Sequence, residues 1–275
     1  MQSTILHRNI IRIKIIMDFS SLVLLCCASF AAGFVDAIVG GGGLIQTPAT
    51  LIILPNYPVP TLLGTTKIPS FAGTGTAAWQ YARRVKFNKK LLLSIALCAF
   101  VAAFAGSYMA TTLSNHIFKP VILIILTGVF IYTAINKNFG QTEHNPDASK
   151  NALAYGICFG LLLGFYDGFI GPGTGSFLLL VFITFIGQDF LHSNAYAKMV
   201  NISTNLASIL YFSSTGHILY QYAIPMAVCN VTGSFLGSKL ALLKGNRFIR
   251  IFFLIVIAGT VLRFAWDVFK LDKYF

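Results

Sequence analysis

Charge is what this sequence has least of. Only 10% of its 275 residues are Asp, Glu, Lys or Arg, whereas 56% are hydrophobic. Soluble domains carry about 25% charged residues, so too little is left here to build a solvated surface. Acidic residues are the scarcest, 8 against 20 basic ones. The cysteines (Cys26, Cys27, Cys98, Cys158 and Cys229) all lie within apolar stretches and show neither disulfide nor metal spacing. The histidines (His7, His116, His144, His192 and His217) sit in tails or beside loops, without a His-x-x-x-His or Glu-x-x-His pair. That argues against an enzyme and against a metal site. No Gly-Lys-Ser/Thr closes a glycine-rich loop, so no nucleotide is bound in the P-loop manner. No cofactor is expected.

What is present in quantity is apolar sequence. Blocks of about 20 residues, the length that spans a bilayer, cover 19–39, 91–113, 117–135, 152–170, 222–243 and 248–269. Shorter or more polar blocks cover 44–54, 61–82, 176–186 and 194–213. The net charge of +12 would point to nucleic acid in a soluble protein. Here the basic residues gather in short loops, as at Arg83, Arg84, Lys86, Lys89 and Lys90, which is the pattern of loops held on the cytoplasmic side. The expected surroundings are therefore membrane lipid and not nucleic acid. Trp79, Tyr81 and Trp266 suit the aromatic belts of the membrane interfaces.

The chain repeats itself. At an offset of 131 residues, Gly33-Phe34-Val35-Asp36 falls on Gly164-Phe165-Tyr166-Asp167, Gly40 and Gly42 on Gly171 and Gly173, and Lys67 on Lys198. Phe104, Gly106, Ser107 and Ala110 fall on Phe235, Gly237, Ser238 and Ala241. Shared Leu and Ala would mean little between two membrane helices; shared Asp, Lys and Gly at one offset mean much more. The reading is an N-terminal extension at 1–16, a first repeat at 17–140, a linker at 141–147 and a second repeat at 148–275. The first apolar run mimics a signal peptide, but its counterpart deep in the chain argues against cleavage.

Charge at equivalent loops has opposite bias. The basic loop 83–90 corresponds to 214–221, which lacks Lys and Arg. The loop with Lys244, Arg247 and Arg250 corresponds to the nearly uncharged 114–119. The expected fold is an all-α membrane protein of two inverted repeats, five transmembrane segments in each, with short broken helices at glycine-rich breaks. This topology puts both termini outside, which the basic residues of 1–16 contradict. Translation from Met17 would resolve the conflict and make 1–16 dispensable; a re-entrant block would also resolve it.

Each repeat has a polar break. Gly40, Gly41, Gly42 and Gly43 form one; Gly171-Pro172-Gly173-Thr174-Gly175-Ser176 forms the other. Neither can continue a helix, and unpaired backbone amides survive in a membrane only inside protein or against a wet cavity. New helices are expected from Leu44 and Phe177, and their first turns can receive an anion. The alternative is a tight turn with close packing. Asp36, Asp167, Lys67 and Lys198 are charged within apolar blocks, at about 2.5–3.5 kcal/mol each on insertion scales. They serve function (coupling or anion binding), a structural Asp–Lys pairing, or both. Thr66 accompanies Lys67, and Lys198, Asn201 and Asn205 share one helix face by their i, i+3, i+7 spacing. That face either lines a substrate path or bonds neighbouring helices.

These motifs resemble a known family. Gly-Phe-x-Asp with a glycine cluster and then Thr65-Thr66-Lys67 is similar to the first half of the TauE/SafE family, and residues 164–177, 197–205 and 233–239 look like its second half, in its YfcA-like branch. The resemblance covers about 17–270. It implies a multi-pass protein of the bacterial inner membrane that transports sulfite, sulfonates or other organosulfur anions. Secondary transport of a small anion by alternating access, at the interface of two repeats, is the leading expectation; an anion channel or passive uniporter is the alternative, and homo-oligomerisation stays open. The inverted topology predicts that single cysteines at Lys86 and His217, in a cysteine-free background, react with an impermeant maleimide from opposite sides. Labelling from one side contradicts inversion.

Overall fold

The computed structural model describes residues 19–112 and 151–271. These residues form eight helices and no strand. In chain order they are α1 (Phe19–Val39), α2 (Gly43–Ile53), α3 (Val59–Ala82), α4 (Lys89–Ala110), α5 (Ala152–Phe169), α6 (Thr174–Thr184), α7 (Phe190–Ser214) and α8 (Tyr220–Leu271). Within α8 the helix is interrupted at Gly245, with φ 68° and ψ −163°, so it holds both apolar blocks expected at 222–243 and 248–269. The block 117–135, the extension 1–16 and the linker 141–147 lie outside the described residues.

Length sorts the helices. α1, α4, α5 and the Tyr220–Ile255 part of α8 are long and apolar enough to cross a membrane. α2 and α6 have 11 residues each, or about 16 Å of helix at 1.5 Å per residue. That is half the thickness of a hydrocarbon core. α3 and α7 have 24 and 25 residues but carry much of the buried polar content. The described residues are all-helical, and the protein is a multi-pass membrane protein.

Local chemistry sets the boundaries. Asn88 caps α4 by accepting from Leu91 N (3.2 Å), and Asp189 caps α7 by accepting from His192 N (2.8 Å). α1 gives way to Gly40 at φ 80°, and α5 to Gly171 at φ 90°, a left-handed conformation that closes helices and that glycine adopts without strain. Expected at Phe177, α6 in fact starts one turn earlier, at Thr174. Gly173, also left-handed at φ 87°, ends the break, and Thr174 Oγ1 donates to Gly171 O (2.7 Å). α2 likewise starts at Gly43, one residue before Leu44.

The most extensive packing joins α1 to α8 and α4 to α5. Small residues bring these backbones together. A Cβ on Gly168 would strike the Ala103 carbonyl, and one on Gly233 the Phe30 carbonyl. Tyr81 corrects an expectation. It is not at an interface belt but fully buried, because the last carbonyls of α1 need donors. Its hydroxyl donates to Ala37 O (2.9 Å). Asn194 adds bonds to Ile38 O (2.7 Å) and to that hydroxyl (2.8 Å). Trp79 is exposed, with Arg83 stacked 3.9 Å from its ring centre; the Trp266 side chain lies outside those described.

Candidate functional site

The two glycine breaks meet. Gly40 and Gly175 pack backbone to backbone, so closely that a side chain on either would overlap the other. Gly43 faces Pro172, whose Cα would lie 3.1 Å from a Cβ there. Ser176 ties the breaks with a hydrogen bond from its hydroxyl to Val39 O (2.9 Å). The starts of α2 and α6 thereby come to the same place.

Next to this junction lie two ion pairs. Lys67 of α3 reaches Asp167 of α5, with Nζ 3.1 Å from Oδ1 and 2.6 Å from the backbone oxygen. Lys198 of α7 reaches Asp36 of α1, with Nζ 3.0 Å from Oδ2. At the 131-residue offset these are one pair seen twice and crossed, since each lysine takes the aspartate of the other half. All four are largely removed from solvent, with side-chain exposures of 6% and 4% in the first pair and 1% and 17% in the second. Buried charges survive only when matched. Both lysines therefore spend their charge on a carboxylate, and the four side chains sum to zero.

A polar cavity of about 30 Å³ opens between the pairs. Asp36, Asp167 and Lys67 line it, as do Gly40, Gly43, Gly171, Gly173, Thr174 and Gly175 from the breaks. From the polar helices come Thr66, Asn201 and Asn205. Its size accommodates about two waters. Thr74 Oγ1 donates to Asp36 Oδ2 (3.1 Å), and Asn205 Nδ2 to Asn201 Oδ1 (2.6 Å).

Most of the residues singled out in the sequence converge here. Gly41, Gly42, Ser176 and Lys198 stand outside the lining. Gly42 is a packing position, where a Cβ would meet the Ala32 carbonyl oxygen at 2.5 Å. Ser176 is the tie just described, and Lys198 stands behind Asp36. Thr47, Ser70 and Thr74 line the cavity unforeseen. The offset could have revealed two of them: Ser70 and Thr74 stand 131 residues before Asn201 and Asn205, so Lys67, Ser70 and Thr74 have the i, i+3, i+7 spacing of Lys198, Asn201 and Asn205. Among the described residues no group of His, Cys, Asp and Glu could hold a metal ion.

The sequence is similar to known proteins along most of its length. The model of the family described as "Sulfite exporter TauE/SafE" matches residues 25–264. The chain belongs to the TauE/SafE family. A protein of a Sinorhizobium species named "Probable membrane transporter protein ORF9" is 33% identical over 91% of this chain and 95% of its own length. A "Probable membrane transporter protein" of Haemophilus influenzae is 34% identical, covering 83% of this chain and 88% of its own. "Probable membrane transporter protein YfcA" of Escherichia coli is 30% identical over 86% of each. No solved structure matches. These relatives and the family are described as transporters, and none as an enzyme.

The crossed pairs make a stability prediction. Asp36→Asn strands the Lys198 ammonium and is expected to destabilise by about 3–5 kcal/mol. Combining it with Lys198→Met removes the stranded charge and is expected to recover most of the loss. Thermal unfolding of the purified proteins in detergent checks this; a double variant as unstable as Asp36→Asn alone contradicts the pairing.

Proposed function

We propose that this chain is a secondary transporter of small anions in the bacterial inner membrane, working by alternating access between two inverted repeats. The observation that carries the reading is the crossed pairing of Lys67 with Asp167 and Lys198 with Asp36 around a polar cavity. In an arrangement with a pseudo-two-fold axis, every contact between the halves is made twice with the partners exchanged. Helix starts support the same reading: Gly43 and Thr174, Val59 and Phe190, and Lys89 and Tyr220 each stand 131 residues apart. The domains proposed are therefore 17–140 and 148–275, joined at 141–147.

The chemistry of the lining supports an anion. The N-terminal ends of α2 and α6 border the cavity, and helix starts carry about half a positive charge each. Hydroxyls of Thr47 and Ser70 and the amides of Asn201 and Asn205 can donate to several oxygens at once. Sulfite and sulfonates, with three oxygens on one sulfur, fit such a donor set, and the family's description supports that substrate class. Loading of such an anion would widen this small cavity by parting the two halves, and that movement is the basis of alternating access.

Counterflow in proteoliposomes tests the reading. Unlabelled sulfite trapped inside is expected to accelerate uptake of labelled sulfite several-fold over empty vesicles. Uptake that ignores the trapped anion would identify a channel.

A further inference from the structure

The two ion pairs are equivalent in sequence but differ in their hydrogen bonds. Asp36 Oδ2 accepts from both Lys198 and Thr74, and the Asp36 side chain keeps 17% exposure. Asp167 Oδ1 accepts from Lys67, but among the described residues none donates to its Oδ2, which is buried. The Asp167 side chain is only 4% exposed and lines the cavity. The difference arises within the repeat. Thr74 supplies the second bond to Asp36, whereas its counterpart Asn205 turns its amide to Asn201 instead.

Resting on the transporter reading above, we propose that the anion enters this cavity together with one proton, which bonds to Asp167 Oδ2. An ionised Oδ2 can only accept, so it repels an oxyanion. A protonated Oδ2 becomes a donor and can bond to one. The same proton cancels the carboxylate charge that holds Lys67, so the ammonium turns from Asp167 to the anion. The balance is simple: one proton from water and one monovalent anion enter a site whose side chains sum to zero, and the sum stays zero. Without the proton, an uncompensated negative charge would be buried.

The groups facing Asp167 agree with a proton and not a metal ion. Lys67 comes from α3, Asp36 from α1 and Lys198, held by Asp36, from α7. Tyr166 precedes it on α5 and donates to Pro172 O (2.7 Å). α2 and α6 contain no titratable side chain, and α4 meets this part of α5 with Ala103, Gly106 and Ser107. A sodium ion would sit against the Lys67 ammonium. Nearby backbone oxygens are already used: Asp167 O by Lys67, Gly168 O by Ser107 and Gly171 O by Thr174.

Uptake of a proton on binding favours binding at low pH and weakens it as pH rises, by up to about tenfold per pH unit for one proton. Methanesulfonate, the monovalent anion of a strong acid, stays fully ionised from about pH 5.5 to 8.5, so any dependence belongs to the protein. Calorimetry of the purified full chain, in buffers of different ionisation enthalpy, is expected to count about one proton taken up per methanesulfonate bound. Asp167→Asn is expected to bind with an affinity that no longer varies with pH and without proton uptake. Asp167→Glu is expected to keep the pH dependence. Wild-type binding that is flat with pH, or a dependence that survives in Asp167→Asn, overturns the proposal while leaving an anion transporter in place. If neither methanesulfonate nor sulfite binds the wild type at any pH, the transporter reading falls and this proposal with it.

Discussion

A lysine or an aspartate taken out of water is destabilising by several kcal/mol unless an opposite charge and hydrogen bonds replace the lost hydration. In this molecule four such groups sit together, and each finds its partner across the junction of the two breaks. That requirement organises what surrounds it. Lys67 and Lys198 must lie on helices that reach the ends of α5 and α1, so α3 and α7 run through the interior and carry polar faces that lipid would not tolerate. The aspartates must stand just before the points where α1 and α5 stop, so that side chain and backbone can share one lysine, as Lys67 shares Asp167.

The glycine breaks follow from the same geometry. Gly40 and Gly175 bring the breaks into backbone contact, and the carbonyls exposed where α1 ends are met by Tyr81, Asn194 and Ser176. Backbone groups that end in a membrane must find partners inside the protein, and here side chains from three other helices provide them. The breaks therefore serve packing and polarity together: Gly42 leaves no room for a side chain, while Gly43 and Thr174 open onto the cavity. The breaks are tight turns with close packing that also open onto the cavity; the reception of an anion at these helix starts belongs to the proposal.

Much of this was legible because membranes exaggerate contrast. A charged residue in an apolar run stands out, and Asp36, Asp167, Lys67 and Lys198 stand out further because they coincide at the 131-residue offset. Glycines in series announced the breaks. What stayed hidden depends on direction in space. No pattern told that the pairs cross, since Lys67 could as well have met Asp36. Tyr81 looked like an interface residue because an amphipathic ring near a helix end suits either lipid headgroups or a buried carbonyl. Ser70 and Thr74 were overlooked because Ser and Thr are common in membrane helices; only their register with Asn201 and Asn205 distinguishes them. The start of α6 shifted by a turn because Gly173 and Thr174 close the break sooner than glycine content implies.

The central claim is that the anion is received between the crossed pairs, where the breaks meet. An experimental structure of the full chain determined with sulfite bears on it most directly. The account predicts density for the anion bordered by Gly43, Thr174 and Lys67, in a cavity wider than the present 30 Å³, with Lys67 turned from Asp167 toward the ligand. Anion density elsewhere, with both ion pairs intact and the junction closed as it is here, would contradict it.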